Sequence, residues 1–220
     1  MRARGVDVSA VQGEHIDFGE LAGGGFDFVS CRATVGATGQ DFTCALDVAH
    51  ARAAGLLVAS CYHVLTTTSA VADQAINALR AQQAHGAPIA LDFEVPPPEQ
   101  WAPPITGMWL LQRAVEFCNR IEAANVKLVV YSYPYFLQSL PFCEELLQLA
   151  DRPLWLADYH DQKHPPAEDY QPKFPQPWDA WSFIQWSGDG GLPAPGVPMV
   201  VDHDVYNGSR GDLAAWLASS

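Results

Sequence analysis

The segment Pro88-Ile89-Ala90-Leu91-Asp92-Phe93-Glu94 joins a short apolar run to two carboxylates. The run predicts a buried strand, which the prolines of Val95-Pro96-Pro97-Pro98 then end. Side chains at positions i and i+2 of a strand point to the same face, so Asp92 and Glu94 should face the same space. Two carboxylates this close do not ionise independently, and one pKa is expected to rise. A proton donor beside a charged group is what glycoside hydrolysis requires.

Similar apolar runs alternate with helical patterns along the chain. Strands are predicted at 6–10, 26–33, 56–64, 88–94, 126–132, 154–159, 181–186 and 199–205, and helices at 41–54, 69–85, 106–124 and 141–150. A last helix should open at Ser209 with Asp212 in a capping-box-like start, Ser69 should cap the second helix, and Gly55 and Gly86 should end the first two. The prolines of 160–180 exclude a helix there, and 187–198 is predicted to be a loop. The order predicts an α/β fold, an irregular (β/α) TIM-like barrel with about eight strands and fewer than eight helices.

Composition excludes several classes of function. Twelve basic against twenty-five acidic residues give a net charge of −13, which argues against a nucleic-acid partner. No apolar run approaches the ~20 residues of a membrane span, so membrane insertion is not expected. The start, residues 1–9, has no apolar segment of the secretory-signal type. The five cysteines are scattered singly, which favours neither a metal cluster nor a disulfide framework, although Cys31 and Cys61 could lie on neighbouring strands and pair.

Acidic residues fall where a barrel of this kind has its active site. Such sites lie at the C-terminal ends of the strands, and Asp7, Asp92, Glu94 and Asp202 all lie on or near predicted strand ends. The first and last strands of a closed barrel are neighbours, so Asp7 and Asp202 should be close in space. In the run 202–204, alternation puts His203 on the face opposite the two aspartates, so a metal site is not predicted there. No cofactor is predicted.

Aromatic residues gather near the same predicted strand ends. Sugars offer flat CH faces that stack on aromatic rings and hydroxyls that need polar partners. The predicted substrate-binding residues are five aromatic and two polar side chains, namely Tyr62, Tyr131, Tyr133, Tyr159, Trp186, Asp158 and Gln185. The competing interpretation is that these aromatic residues belong to the core, and it is expected to hold for about half of them. Tyr62 and Trp186 are the two least expected to be core residues.

Taken together, eight segments in order resemble glycoside hydrolase family 25, the Chalaropsis-type lysozymes found among phage endolysins and bacterial autolysins. They are Gly5-Val6-Asp7-Val8-Ser9 with Gln12-Gly13 and Ile16-Asp17-Phe18, Phe28-Val29-Ser30-Cys31-Arg32-Ala33-Thr34-Val35-Gly36, Ala54-Gly55-Leu56 with Tyr62-His63, Leu91-Asp92-Phe93-Glu94, Tyr131-Ser132, Leu154-Trp155-Leu156-Ala157-Asp158-Tyr159, Gln185-Trp186-Ser187, and Val201-Asp202-His203-Asp204-Val205-Tyr206-Asn207-Gly208. The chain departs from the family pattern at Ala10-Val11, where a Trp is usual, at Val64-Leu65 after His63, where a Phe is usual, and at His203-Asp204, where an apolar residue and Asn are usual.

The resemblance implies a peptidoglycan hydrolase that cleaves the β-1,4 bond from N-acetylmuramic acid to N-acetylglucosamine. By position, Glu94 would be the general acid, its pKa raised by Asp92 and partial burial, with Asp92, Asp7 and Asp202 in support. Two routes stay open: Asp92 holds the substrate acetamido group, whose oxygen attacks the anomeric carbon, or Asp202 or Asp7 activates a water and the configuration inverts. The alternative functions are a catalytically inactive, lectin-like glycan-binding barrel and a glucosaminidase or chitinase-type hydrolase.

The remaining expectations concern organisation and location. Residues 1–220 are predicted to form a single catalytic domain without a separate cell-wall-binding domain, and to act as a monomer on peptidoglycan strands. The protein is expected to be made in the cytoplasm and to act at the bacterial cell wall, delivered during phage lysis or by specialised secretion.

Overall fold

A computed structural model describes residues 1–94, 105–159 and 161–219, so the proline run 95–98 lies outside the described residues. The described residues contain nine strands and seven helices. The strands are Arg4–Val8 (β1), Phe28–Val35 (β2), Gly39–Gln40 (β3), Leu57–Val64 (β4), Ile89–Asp92 (β5), Leu128–Ser132 (β6), Leu154–Ala157 (β7), Phe183–Leu192 (β8) and Val201–Tyr206 (β9). The helices are Phe18–Gly23 (α1), Cys44–Ala53 (α2), Val71–His85 (α3), Gly107–Glu122 (α4), Pro134–Ser139 (α5), Glu144–Ala150 (α6) and Arg210–Ala218 (α7).

Eight of the strands close into a barrel. Their order is β1, β9, β8, β7, β6, β5, β4 and β2, and β2 pairs with β1 to complete the ring, while β3 extends β2 by two residues. The barrel strands other than β9 pair in parallel with one another, whereas β9 runs antiparallel to both of its neighbours. The short strand β3 is antiparallel to β2. The predicted irregular barrel with eight strands and fewer than eight helices is confirmed.

The direction of β9 corrects one step of the sequence analysis. Asp202 was expected at the C-terminal end of the last strand, but it is the second residue of β9. Because β9 is antiparallel, its first residues lie at the rim where the parallel strands end, and Asp202 pairs directly with Asp7. The expected proximity of these two aspartates therefore holds, although the strand direction assumed for Asp202 was wrong.

The lower part of the barrel is filled by side chains. Phe28 and Phe183 meet edge to face, with ring centroids 5.6 Å apart, and Trp155 lies above Phe183 at 6.1 Å. Phe28 leaves no room for a side chain on the neighbouring strand, since a Cβ at Gly5 would lie 2.3 Å from its ring. Among the described residues, side chains thus fill the lower part of the barrel, and a cavity opens above Trp155.

Helices cover the outside of the barrel unevenly. The apolar faces of α4 and α6 pack on β5, β6 and β7, and α3 packs between α4 and the strands β2 and β4. Helices α1 and α2 pack on β1, β2 and β4. Outside β8 and β9 no helix is present among the described residues 161–182, and Tyr170 and Phe174 of that segment pack on Trp181 and Ile184 instead. The prediction that prolines exclude a helix here agrees with this arrangement.

Element ends differ from the predictions in a few places. Every barrel strand begins and ends within two residues of its predicted bounds except β8, which continues to Leu192 through a segment predicted as loop. This extension pairs with β9 across two register shifts, a pairing that periodicity does not reveal. The short elements α1, α5 and β3 were not predicted.

Three of the four predicted helix caps agree with the structure. The capping box of Ser209 and Asp212 is present, Gly86 ends α3 with a φ of 63°, and Gly55, with a φ of 83°, follows the last residue of α2 by two. The expected cap at Ser69 is wrong, because Ala70 precedes the helix and makes no side-chain cap. The Ser69 carbonyl instead accepts hydrogen bonds from the Gln74 and Arg113 side chains.

The cysteines are all free thiols. Cys31 and Cys61 are register partners on the adjacent strands β2 and β4, as the sequence allowed, and both are buried. The disulfide left open by the sequence is therefore not formed. Among the residues that the structure describes, no helix combines the length and the apolar character needed to cross a bilayer.

Candidate active site

A cavity of about 140 Å³ opens at the mouth of the barrel above Trp155. It is lined by all four predicted catalytic carboxylates and by four further side chains, namely Asp7, Asp92, Glu94, Asp202, Tyr62, Tyr131, Trp155 and Gln185. The carboxylates come from β1, from β9 and from the end of β5, which are far apart in the sequence. The structure thus brings together the residues that the sequence analysis assigned to one site.

Asp92 and Glu94 face the cavity from the same stretch of backbone. Phe93 between them points the other way into the core, where its ring meets that of Phe136 at 4.9 Å. The Phe93 carbonyl accepts a hydrogen bond of 2.7 Å from the buried Ser132 hydroxyl, which fixes the backbone just beyond β5. Alternation along an extended segment therefore places both carboxylates in one space, as predicted.

This carboxylate pair holds a proton. Burial raises the pKa of Asp92 well above its usual value, and the charge of Glu94 and a hydrogen bond between the two side chains raise it further. Arg32, on the neighbouring wall of the barrel, acts in the opposite direction. The expected rise of one pKa within the pair is thus present at Asp92, which favours the protonated form of Asp92 when no substrate is bound.

A second group of acids lies on the opposite wall. Burial raises the pKa of Asp7 to about 8, with a further contribution from Asp202, while hydrogen bonds from Gln185 and Asp204 lower it. Asp204 is 1% exposed, and its Oδ1 accepts a hydrogen bond of 2.9 Å from Trp155 Nε1. Burial and the charge of Asp7 also raise the pKa of Asp204, which favours the protonated form of Asp204 beside Asp7.

A larger cavity of about 690 Å³ adjoins the first one at Glu94. Its other lining residues come from the segment after β6 and from the end of β7 and the residues that follow it, namely Tyr133, Pro134, Tyr135, Ala157, Asp158 and Tyr159. Asp158 Oδ2 accepts a hydrogen bond of 2.6 Å from the Tyr170 hydroxyl. Tyr133, Asp158 and Tyr159 were predicted to bind substrate, and the structure places all three together in a space large enough for a sugar.

Trp186 is the predicted substrate-binding residue that lies elsewhere. It is 3% exposed and belongs to the outer core cluster with Ile184 and Val205, where its ring meets that of His203 at 5.2 Å. Gln185 faces the cavity, and alternation along β8 then turns Trp186 to the outer face. The structure therefore does not bring Trp186 to either cavity with the other predicted residues. His203 also lies outside the barrel, as predicted.

Sequence reasoning missed three residues of the site, Trp155, Asp204 and Tyr135. Trp155 pairs in register with Tyr131, which pairs with Asp92, so the cross-strand register carried the signal. Asp204 shares the face of Asp202 by alternation. Tyr135 is 80% exposed in the first turn of the short helix α5, which had no sequence signature beyond its initial proline. Among the described residues, no cluster of histidine, cysteine or acidic side chains has the arrangement of a metal site.

Comparison with known proteins identifies the family. The sequence profile described as glycosyl hydrolases family 25 matches residues 6–194. The chain belongs to this family. No curated protein matches the sequence. The predicted family is thus confirmed, and with it the prediction of a glycoside hydrolase.

Solved structures share the family 25 fold at low sequence identity. A bacterial lysozyme from Streptomyces coelicolor superposes with a TM-score of 0.81 at 22% identity, covering 99% of this chain and 97% of the other. A family 25 lysozyme from Aspergillus fumigatus gives a TM-score of 0.76 at 22% identity, with 100% of both chains covered. The catalytic domain of an endolysin from bacteriophage P40 of Listeria monocytogenes gives 0.70 at 16% identity, covering 100% and 98%. These likenesses establish the fold.

Proposed function

We propose that this protein is an N-acetylmuramidase that hydrolyses the β-1,4 bond between N-acetylmuramic acid and N-acetylglucosamine in bacterial cell-wall peptidoglycan. The observation that carries the proposal is the convergence of Asp7, Asp92, Glu94 and Asp202 on one aromatic-walled cavity at the mouth of a family 25 barrel. The structural relatives named above are lysozymes and an endolysin, which agrees with this substrate.

The first step uses the proton held by the Asp92–Glu94 pair. When the substrate acetamido N–H donates to Asp92, the carboxylate form of Asp92 is favoured and the shared proton moves to Glu94. Glu94, at the junction of the two cavities, then protonates the glycosidic oxygen as that bond breaks. The acetamido oxygen attacks the anomeric carbon, Asp92 takes the N–H proton, and a neutral oxazoline forms.

The second step restores the pair. Glu94, now a carboxylate, removes a proton from a water that attacks the anomeric carbon from the face the leaving sugar vacated. The oxazoline ring opens, and Asp92 returns its proton to the nitrogen. The Asp7 and Asp202 carboxyl groups on the opposite wall stabilise the positive charge that develops on the sugar ring in both steps when they are ionised. The sugar keeps its β configuration.

The competing route is direct inversion, in which Asp202 or Asp7 activates a water against the anomeric carbon. Proton NMR of the first products from a defined glycan oligomer separates the two routes. A β-anomer as the initial product supports the assisted route, and an α-anomer would exclude it. The hydrogen bond that joins Asp92 to Glu94 favours the assisted route, since it supplies a path for the proton between the two residues.

The aromatic residues divide between two sugar sites in this proposal. Tyr62 and Tyr131 border the sugar whose anomeric carbon reacts, and Tyr133, Tyr135 and Tyr159 border the sugar on the other side of Glu94. Asp158 in the larger cavity binds a sugar hydroxyl. We propose further that the protein acts as a monomer at the cell wall after synthesis in the cytoplasm.

Mass spectrometry of muropeptides after digestion of purified peptidoglycan tests the bond that is cleaved. Reducing N-acetylmuramic acid ends are the expected result. Reducing N-acetylglucosamine ends would identify a glucosaminidase. Binding to peptidoglycan without new reducing ends would identify a lectin-like protein and contradict the proposal.

A further inference from the structure

Gln185 is the centre of a hydrogen-bonded network behind both cavities. Its Nε2 donates to Asp7 Oδ2 at 2.8 Å. Its Oε1 accepts from the Tyr131 hydroxyl at 2.8 Å and from the Tyr159 hydroxyl at 2.6 Å. The network therefore joins a carboxylate of the smaller cavity to one tyrosine from each cavity.

The Gln185 side chain is poorly placed to form hydrogen bonds with a substrate. Gln185 is 4% exposed, and both lone pairs of its amide oxygen are occupied by the two phenol donors. The sequence analysis predicted that Gln185 binds substrate directly. Its burial and its three bonds are instead those of a residue that acts through its neighbours.

The polarity of the network has a chemical consequence. A phenol has a single O–H donor, and in each tyrosine that donor is directed at Gln185. The two phenol oxygens can then only accept hydrogen bonds from a bound molecule. A sugar hydroxyl or an acetamido N–H meets this requirement, and an acceptor group such as a carboxylate does not.

We propose that Gln185 is a positioning residue that couples the Asp7 carboxyl group to the Tyr131 and Tyr159 hydroxyls, so that both tyrosines face the glycan as hydrogen-bond acceptors. The inference rests on the proposed function, since it assigns a recognition role to the wall of that same site. It makes Gln185 a determinant of substrate specificity without direct contact to substrate.

The position of Tyr159 supports this role independently. A Cβ added at Gly188, three residues beyond Gln185 on β8, would lie 2.3 Å from the Tyr159 hydroxyl oxygen. The Tyr159 phenol thus lies between Gly188, which has no side chain to displace it, and the Gln185 amide oxygen, which accepts its hydrogen bond. The titratable groups around the network are Asp202 and Asp204 beside Asp7, and Glu94, Asp92 and Tyr159 around Tyr131.

Gln185→Glu tests the coupling, because Glu matches Gln in shape and changes only the proton. While the introduced carboxyl group is protonated, its O–H donates to Asp7 and its carbonyl oxygen accepts from both tyrosines, as the amide of Gln185 does. Once that carboxyl group ionises, the donor to Asp7 is lost, and two carboxylates oppose each other where Asp7 ionises as well, near its raised pKa of about 8. Gln185→Met removes all three bonds at every pH. Gln83→Glu, on the exposed face of α3, makes the same charge change away from the site.

The readout is kcat/KM for reducing-end release from peptidoglycan between about pH 4.5 and about 8.5, divided by the wild-type value at the same pH. The ratio cancels the titration of the groups shared by both proteins. We expect Gln185→Glu to stay near the wild type at the acidic end and to fall by roughly 10-fold to 100-fold as pH rises. Gln185→Met should lose a similar factor at all pH values, and Gln83→Glu should match the wild type throughout.

Several outcomes would overturn the inference. They are a Gln185→Glu ratio that does not change with pH, a Gln185→Met variant as active as the wild type, and a Gln185→Glu variant that does not fold at acidic pH, where it reproduces every bond. Wild-type protein without hydrolytic activity would instead overturn the proposed function. Near-ultraviolet circular dichroism at each pH verifies folding, so the two failures are distinguishable.

Discussion

The two acidic walls of the mouth are built in different ways. On one side, Asp92 and Glu94 project from a single stretch of backbone and are hydrogen-bonded to each other; we call them the β5 pair. On the other side, Asp7 comes from β1 and Asp202 and Asp204 from the antiparallel β9; we call these three the β1–β9 group. Neutral donors surround the second wall, with Gln185 bound to Asp7 and Trp155 bound to Asp204.

This difference between the two walls indicates that they have different roles in catalysis. A pair that shares a hydrogen bond can pass a proton from one carboxyl to the other, which a general acid and its partner require. A carboxyl group that accepts from fixed donors is held in place, and when it is ionised it supplies charge without changing partners. The β5 pair is therefore assigned the proton transfer and the β1–β9 group the electrostatic support, and four substitutions test this assignment.

Glu94→Gln should have the largest effect, because it removes the proton donor and keeps the shape of the side chain. General acid catalysis contributes about 10²–10⁴-fold, and we expect a loss of that order in kcat on peptidoglycan with an unchanged thermal midpoint. Asp7→Asn, in the β1–β9 group, is the matched comparison and should lose less. Near-normal turnover of Glu94→Gln would show that Glu94 is not the general acid. Equal losses of kcat in both variants would contradict the assignment of different roles to the two walls.

Asp92→Asn should follow, with a loss of roughly 10²–10³-fold, the range for one group that stabilises a transition state. Asn keeps a hydrogen bond to Glu94 but cannot take the acetamido proton. A glycan whose N-acetyl groups have been removed separates this role from a structural one, because it lacks the group that Asp92 holds. The wild type and Asp92→Asn should be similarly slow on that glycan, and a large remaining difference would contradict the assisted route.

The contrast between the walls also explains what the sequence could predict. The β5 pair is local, so alternation over three residues was enough to place Asp92 and Glu94 together. The eight barrel strands were visible as apolar runs for the same reason, since each is recognisable from its own residues. The N-terminal cap of α7 lay in a four-residue signature, Ser209 to Asp212.

The β1–β9 group depends on relations that one segment does not contain. The antiparallel direction of β9 decides which end of that strand lies at the mouth, and strand direction leaves no mark on periodicity. The role of Asp204 depends on burial beside Asp7 and on the distant donor Trp155. Trp186 was misplaced because residue type was given more weight than alternation, which turns it away from Gln185.

Gly188→Ala should have a moderate effect on kcat/KM, and it extends the comparison of the two walls to the edge of the second wall. The new Cβ displaces the Tyr159 phenol and breaks its bond to Gln185. We expect kcat/KM to fall about 10-fold, since small misplacements of binding groups are costly.

Tyr159→Phe should lower kcat/KM by about as much, and the double variant should lose no more than either single variant, because both substitutions remove the same hydrogen bond. Gly23→Ala is the control, as a Cβ there meets nothing within 4 Å. Additive losses would show that Gly188 acts by another route.

Asp204→Asn should have the smallest effect and a distinctive sign. Asn still accepts from Trp155 and, like the protonated Asp204, carries no charge beside Asp7, but it has no proton to lose. The pKa of Asp204 is raised in the folded protein, so its contribution to stability is fully present below the ordinary pKa of 3.8 and is lost as pH rises. The variant should therefore match the wild type near pH 4 and melt about 2–4 °C higher near neutral pH, the shift that ~1 kcal/mol gives in a domain of this size. Asp212→Asn is the control of opposite sign, because hydrogen bonds from Ser209 lower the pKa of Asp212 and its contribution is lost as pH falls. A melting difference between Asp204→Asn and the wild type that does not grow with pH would mean that Asp204 is not held in its protonated form, and that the β1–β9 group carries one more charge than its hydrogen bonds indicate.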